Sequence, residues 1–246
     1  MSARPPLRVA AVGDLHLGLD SGGLLAPELA GVEELADLFL FAGDATRHGD
    51  PAEAQVLATE LETISLPKVG VLGNHDYHSD QQELITKHLE SSGMTVLEQQ
   101  ATTLEVAGRR VGIAGTKGFG GGFRDAGGSD FGEPEMKAFI RHTQEIAAGL
   151  RAALDSLDDV EVRIALLHYS PIAATLFGEK PEIFAFLGSY LLEEAVDDGR
   201  ADVAFHGHAH AGAETGFTAG GVPVHNVAHP VIRAAYKIFE LPERYG

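Results

Sequence analysis

Nine side chains able to bind a metal or move a proton stand directly after short apolar runs. Val9-Ala10-Ala11-Val12 leads into Gly13-Asp14-Leu15-His16, and Leu38-Phe39-Leu40-Phe41-Ala42 leads into Gly43-Asp44. Val69-Gly70-Val71-Leu72 leads into Gly73-Asn74-His75-Asp76, Ile164-Ala165-Leu166-Leu167 into His168, and Val203-Ala204-Phe205-His206 into Gly207-His208-Ala209-His210. Runs of this length bounded by glycine read as strands buried on both faces. In open sheets with helical crossovers, sites form beyond the carboxyl ends of the strands. Taken singly, an Asp or Asn after a strand is more often a turn residue or helix cap. Five such ends in one chain, carrying Asp, Asn and His and no sulfur, point to a metal site. That donor set suits Mn, Fe or Zn better than copper(I) or an iron–sulfur cluster.

The ordered set Asp14-x-His16, Gly43-Asp44, Gly73-Asn74-His75-Asp76, His168 and Gly207-His208-x-His210 resembles the calcineurin-like metallophosphoesterase superfamily. The resemblance implies a four-layer αββα sandwich, two mixed sheets flanked by helices. It implies two metal ions, one held by Asp14, His16, Asp44 and His210 and the other by Asp44, Asn74, His168 and His208, with Asp44 bridging. It further implies His75 as general acid near the leaving oxygen and Asp76 as the group orienting its ring. Paired cations of this kind clamp the attacking and leaving oxygens of a displacement and acidify a water. Many members carry Gly-Asp-x-x-Asp at the second motif, whereas here Gly43-Asp44-Ala45-Thr46-Arg47 lacks the second Asp, which argues against the protein Ser/Thr phosphatase branch. The stretch Asp44 to Pro51 resembles bacterial cyclic-nucleotide phosphodiesterase-like members, which favours a phosphodiesterase of small soluble phosphoesters. The alternatives are a phosphomonoesterase, a nuclease of the DNA-repair type, and a non-catalytic metal-stabilised binding module.

Composition narrows these classes. The chain has 246 residues, 44% of them apolar, and a formal net charge of −18. An acidic chain disfavours nucleic acid as a partner, because phosphate binding leans on Lys and Arg. There is no cysteine, so neither disulfides nor thiolate ligands are available, and a reducing compartment is permitted. Met1-Ser2-Ala3-Arg4-Pro5-Pro6 has no signal-peptide character, and no apolar run approaches the ~18 residues of a membrane span. A cytoplasmic enzyme in one domain over 1–246 is the expectation; nothing in the sequence sets its oligomeric state.

The elements that must position these residues follow from periodicity. Strands are expected at 7–13, 38–42 and 68–72, each followed by a helix, at 27–36, at 51–63 with Asp50 as N-cap, and from Ser79 or Asp80 to about 91. After Met94, closely spaced strands follow at 95–97, 102–106 and 111–114. A helix is expected over 133–156, a strand at 160–167, a helix over 181–198, a strand at 202–206, and hairpin strands near the end. The glycine-rich stretch 117–130 reads as a mobile lid or loosely ordered loop. Within it Arg124 is a candidate substrate contact, and Phe119 and Phe123 are candidates for stacking on a ring. His48 is a second candidate substrate contact, although an exposed loop histidine is the commoner role. Phe177 to Leu187 is a candidate wall of the site.

Overall fold

Two five- and six-residue apolar segments, Leu38–Ala42 (β2) and Leu7–Val12 (β1), lie side by side in parallel and are buried almost throughout. The computed structural model describes residues 4–124 and 126–241. The leader expectation on Met1 to Ala3 and the Asp125 position of the glycine-rich stretch lie outside the described residues. Lys68–Val71 (β3) and Met94–Val96 (β4) extend the parallel set, and Lys237–Leu241 (β13) closes the other edge antiparallel to β1, giving the order β13-β1-β2-β3-β4.

The second sheet is built from Gln100–Val106 (β5), Arg109–Thr116 (β6), Val162–Leu167 (β9), Val203–His206 (β10), Thr215–Phe217 (β11) and Pro223–Asn226 (β12), in the order β11-β12-β10-β9-β6-β5. Its outer pairs β11–β12 and β5–β6 are antiparallel and its inner pairs parallel, so both sheets are mixed. A short pair, Gly122–Phe123 (β7) and Ala126–Gly127 (β8), stands apart from both.

Side chains alternate between faces along a strand, and that alternation sorts the core into three layers. Val9, Ala11, Leu38, Leu40, Val69 and Val71 of the first sheet meet Val111, Ile113, Ile164, Leu166 and Phe205 of the second. The opposite face of the first sheet, with Ala10, Val12, Phe39 and Phe41, is covered by helices that include Pro51–Leu61 (α3) and Gln82–Ser91 (α4). The opposite face of the second, with Ala114, Ala165, Leu167 and Ala204, is covered by Pro134–Asp155 (α5) and Tyr190–Asp198 (α7). The fold is therefore the αββα sandwich of two mixed sheets. No helix among the described residues is long and apolar enough to cross a membrane.

Three expected elements differ. The helix over 27–36 is two short ones, Ala26–Leu29 (α1) and Val32–Leu35 (α2), because Gly31 between them sits at φ 82°. The helix over 181–198 is broken at Gly188: a 3-10 turn Pro181–Ile183 and Phe184–Leu187 (α6) precede it, and Ser189 caps α7 by accepting from the Leu191 N–H. The final strands do not form one hairpin, since β12 stays in the second sheet while β13 pairs with β1 in the first, after the short helix His229–Ile232 (α8).

Candidate metal centre

The carboxyl ends of β1, β2 and β3 in one sheet and of β9 and β10 in the other meet at a common edge of the sandwich. The loops there are zipped by backbone bonds: the Asp14 N–H donates to Gly43 O at 2.8 Å and the His16 N–H to Asp44 O at 3.1 Å. Asp14, His16, Asp44 and His208 all have positive φ, at 58°, 45°, 57° and 67°. That region is costly for side-chain-bearing residues and collects at functional sites. The neighbouring glycines are required by contact. A Cβ on Gly73 would fall on Asp44 Oδ1, one on Gly207 on Asp14 Oδ2, and one on Gly43 would lie 2.7 Å from His168 Nδ1.

The side chains converge in two groups that share one residue. Ligand atoms of Asp14, His16, Asp44 and His210 lie within 4.8 Å of one another, as do those of Asp44, His168 and His208. Asn74 joins the second group, its Oδ1 lying 2.9 Å from His168 Nε2. Asp44 Oδ2 is 3.6 Å from His16 Nε2 and 3.5 Å from His168 Nε2. His210 Nε2 is 2.9 Å from Asp14 Oδ1, and the Asp14 carboxylate also accepts the His208 N–H at 3.0 Å.

The donor set fits a cation. The His168 Nδ1–H donates to Ala42 O at 2.8 Å, which leaves Nε2 with its lone pair towards Asn74 Oδ1 and Asp44 Oδ2. Three acceptors that close hold together only around a proton or a metal ion. Holding the far ring nitrogen on a carbonyl is also how metal-ligating histidines are commonly oriented. Burial pushes the His168 imidazole well below its ordinary range, His16 down to about 4 and His208 down to about 3, so these rings are neutral at pH 7. Burial, with Asp14 and Asp76 nearby, lifts the Asp44 carboxyl well above the usual carboxylate range. Among the described residues no Lys or Arg pairs with Asp14 or Asp44. His210 alone of these rings is held by a carboxylate that raises its imidazole, Asp14. The neutral His16, His168 and His208 around Asp14 and Asp44, which no Lys or Arg among the described residues neutralises, therefore leave a deficit of positive charge that divalent ions would fill.

His75 lies against this centre. Its ring centroid is 4.4 Å from that of His16, and its N–H donates to Asp44 Oδ1 at 2.8 Å. The His75 Nδ1–H donates to the Arg47 carbonyl at 2.9 Å, so the ring is oriented by Arg47 and not by Asp76. Asp76 is fully buried, and its carboxylate accepts from the Gly73, Ala45 and Thr46 N–H groups and from the Thr46 hydroxyl. Asp76 therefore joins the Gly73 turn to the Asp44 loop. Arg47 escaped the sequence reading because a backbone carbonyl leaves no side-chain signal.

The two candidate substrate contacts are each paired with a carboxylate outside the donor groups. The His48 side chain is 66% exposed and its Nδ1 is 3.0 Å from Glu53 Oε1 in the first turn of α3, which Asp50 caps. Arg124 pairs with Glu194 at 3.1 Å and lines a cavity of 330 Å³ with Phe123, Tyr190, Gly127 and Gly128. The glycine-rich stretch divides: residues 117–123 are largely buried, while the described residues 124 and 126–132 are exposed. Gly121 and Gly122 N–H groups donate to Ala185 O and Gly188 O at 2.7 and 2.9 Å, and a Cβ on Gly120 would lie 2.6 Å from Ala185 O. The buried half is thus a packed support for the 185–189 segment, where small residues let two backbones touch. Phe119 packs on Phe139, His142 and Tyr169. The Phe177–Leu187 segment does border the centre, since His208 Nε2 is 3.3 Å from Phe186 O.

The family model for calcineurin-like phosphoesterases matches residues 7–212. A probable cyclic nucleotide phosphodiesterase of Synechococcus sp. is 32% identical over 80 residues, 28% of this chain and 31% of that protein. Phosphodiesterase YaeI of Escherichia coli is 28% identical over 117 residues, 45% of this chain and 43% of that protein. The matched stretches thus span less than half the length of these curated relatives. Among solved structures, the phosphopantetheinyl hydrolase PptH of Mycobacterium tuberculosis superposes with a TM-score of 0.67 at 14% identity, covering 96% of each chain. A putative 5′-nucleotidase of Staphylococcus aureus superposes with a TM-score of 0.58 at 14% identity, covering 96% of this chain and 53% of that one. At these identities the likeness is one of fold.

Proposed function

The chain belongs to the calcineurin-like phosphoesterase family, metal-dependent hydrolases, and from that premise we propose that it is a phosphodiesterase of small soluble phosphoesters with a two-metal centre. The observation that carries the reading is the pair of donor groups sharing Asp44. Asp14, His16, Asp44 and His210 would hold one ion, and Asp44, Asn74, His168 and His208 the other. Bound there, such a pair supplies Lewis acidity, drawing charge from the phosphoryl oxygens and acidifying a water.

The chain's own groups do the rest. The His75 Nδ1–H donates a hydrogen bond to the Arg47 carbonyl, which leaves Nε2 as the atom that carries a proton to the leaving oxygen. The Ala42 carbonyl fixes the His168 ring, and the Phe186 carbonyl accepts from His208 Nε2. The neutral imidazoles offer lone pairs without first giving up protons. Support for a diester over a monoester comes from the two curated relatives, both described as phosphodiesterases.

The test is turnover of matched aryl phosphate mono- and diesters by metal-stripped protein, with Mn²⁺, Fe²⁺ or Zn²⁺ restored one at a time. Diester cleavage that appears on metal addition is expected. Cleavage of the monoester alone would replace the diesterase reading with a phosphomonoesterase, and binding of two ions with no turnover of either ester would favour a binding module.

A further inference from the structure

One aromatic residue at the centre has no role in the account above. Tyr169 follows His168 directly and is only 7% exposed. Its ring centroid lies 4.2 Å from that of His208 and 5.7 Å from that of His168. Among the described residues the Tyr169 hydroxyl has no protein hydrogen-bond partner, and it is not one of the buried polar atoms, so it reaches solvent. With its ring buried and its hydroxyl at solvent, Tyr169 can offer that O–H to a ligand.

The same ring lies against a buried cation. Lys117 is 8% exposed, and its Nζ lies 5.1 Å from the Tyr169 centroid, 5.2 Å from Tyr77 and 5.0 Å from Phe119. Nζ donates to Gly118 O at 3.0 Å, and among the described residues no carboxylate pairs with it. Cation–π contacts strengthen when desolvated, and three of them offset part of the cost of burying the charge. The Lys117 carbonyl accepts both the His168 N–H at 3.1 Å and the Tyr169 N–H at 2.9 Å. Lys117 therefore grips the turn carrying His168 and Tyr169 by its backbone and the Tyr169 ring by its side chain.

We propose that the Tyr169 hydroxyl donates a hydrogen bond to a phosphoryl oxygen of the substrate, and that Lys117 is the residue that positions Tyr169 for it. This rests on the phosphoester reading of the centre. A neutral phenol adds a donor without adding net charge, which suits the single negative charge of a diester. The ammonium over the Tyr169 ring helps fix that ring beside His208.

The experiment compares wild type, Tyr169→Phe, Lys117→Met and Lys117→Arg, each loaded with the same metal. It reads metal per chain by mass spectrometry, inorganic phosphate binding by calorimetry, and kcat/KM on an aryl phosphodiester. Tyr169→Phe is isosteric and is expected to keep its metal and its melting temperature, to weaken phosphate binding about tenfold, and to lower kcat/KM at least as much. Lys117→Met should move both readouts in the same direction, Lys117→Arg should restore most of the loss, and Lys117→Met added to Tyr169→Phe should cost little more than Tyr169→Phe alone. Wild-type phosphate affinity in Tyr169→Phe overturns the proposal. If the loaded wild type binds phosphate but cleaves no ester, the phosphodiesterase reading fails, while the phosphate affinity of Tyr169→Phe still decides this one.

Discussion

The Asp76 carboxylate takes two hydrogen bonds from Thr46, from the N–H at 2.9 Å and from the hydroxyl at 2.8 Å. With the Gly73 N–H at 2.9 Å and the Ala45 N–H at 3.2 Å, it ties the turn before Asn74 to the loop after Asp44. Asp76→Asn keeps the shape but turns an NH₂ group towards buried N–H donors. The expected cost is about 3 kcal/mol, because hydrogen bonds to a buried charge are worth more than neutral ones and stranded donors stay desolvated. Urea unfolding measures it, and bound metal should fall in parallel. A variant of native stability with only an altered pH–rate profile would instead return Asp76 to the role of orienting His75.

Gly73→Ala isolates the steric demand of the bridging position. The added Cβ would fall on Asp44 Oδ1 and against the Asp44 backbone nitrogen, so a rotation of the carboxylate alone could not relieve the clash. Metal per chain is expected to drop for both ions, while far-UV circular dichroism keeps the wild-type spectrum, because the clash lies beyond the end of β3. Full metal occupancy in Gly73→Ala would mean that Asp44 can move and still bridge.

Asp44→Asn addresses the same bridge through charge. Asp44 is common to both donor groups, so replacing its carboxylate should weaken both sites together, where Asp14→Asn should weaken chiefly the group with His16 and His210. Calorimetric titration of stripped protein with Mn²⁺ distinguishes the two patterns. One site left at wild-type affinity in Asp44→Asn would show that the two groups are independent.

Much of this layout was legible because it is carried by side-chain type at strand ends. Asp14, His16, Asp44, Asn74, His168, His208 and His210 each follow a buried strand, and parallel strands bring such ends to one edge. What stayed hidden depends on backbone groups and on distance in the chain. The Arg47 carbonyl that orients His75 has no side-chain signature. Gly31 and Gly188 interrupt apolar periods that read as continuous helices, and the hydrophobic period does not register a single residue off helical φ and ψ. The glycines at 120–122 look like a flexible loop until Ala185 and Gly188, more than 60 residues on, are placed against them.

His75→Ala separates chemistry from metal binding. The ring reaches the centre through His16 and hangs from Arg47 O, and its atoms are in neither donor group. Metal content should be unchanged and turnover of an alkyl ester reduced by about 10²–10⁴-fold, the usual span for a lost general acid. An aryl ester, whose leaving oxygen needs no proton, should suffer much less. Equal losses on both esters would assign His75 to binding the phosphoryl group instead of protonating the leaving oxygen.

His225, away from the centre on β12, links stability to pH. Its ring lies 4.6 Å from Phe239 and 5.5 Å from Phe205, and its Nδ1 is buried without a partner. Burial lowers the imidazole below its ordinary range, and the Lys237 charge lowers it further against a smaller pull from Glu214. The unfolded chain takes up this proton near pH ~6.5. Because the folded value lies lower, the unfolded state binds more protons as pH falls, so the stability due to neutral His225 is complete above that pH and is lost below it. His225→Phe removes the titrating group and keeps an aromatic ring between Phe205 and Phe239. The difference in unfolding free energy, variant minus wild type, should therefore shift in the variant's favour between pH 7.5 and pH 5.5. The histidines of the metal centre titrate in both proteins alike and cancel in that difference, provided both are stripped of metal. Urea unfolding at a series of pH values gives the difference directly, and a flat line would mean that His225 holds its proton equally in the folded and unfolded chains.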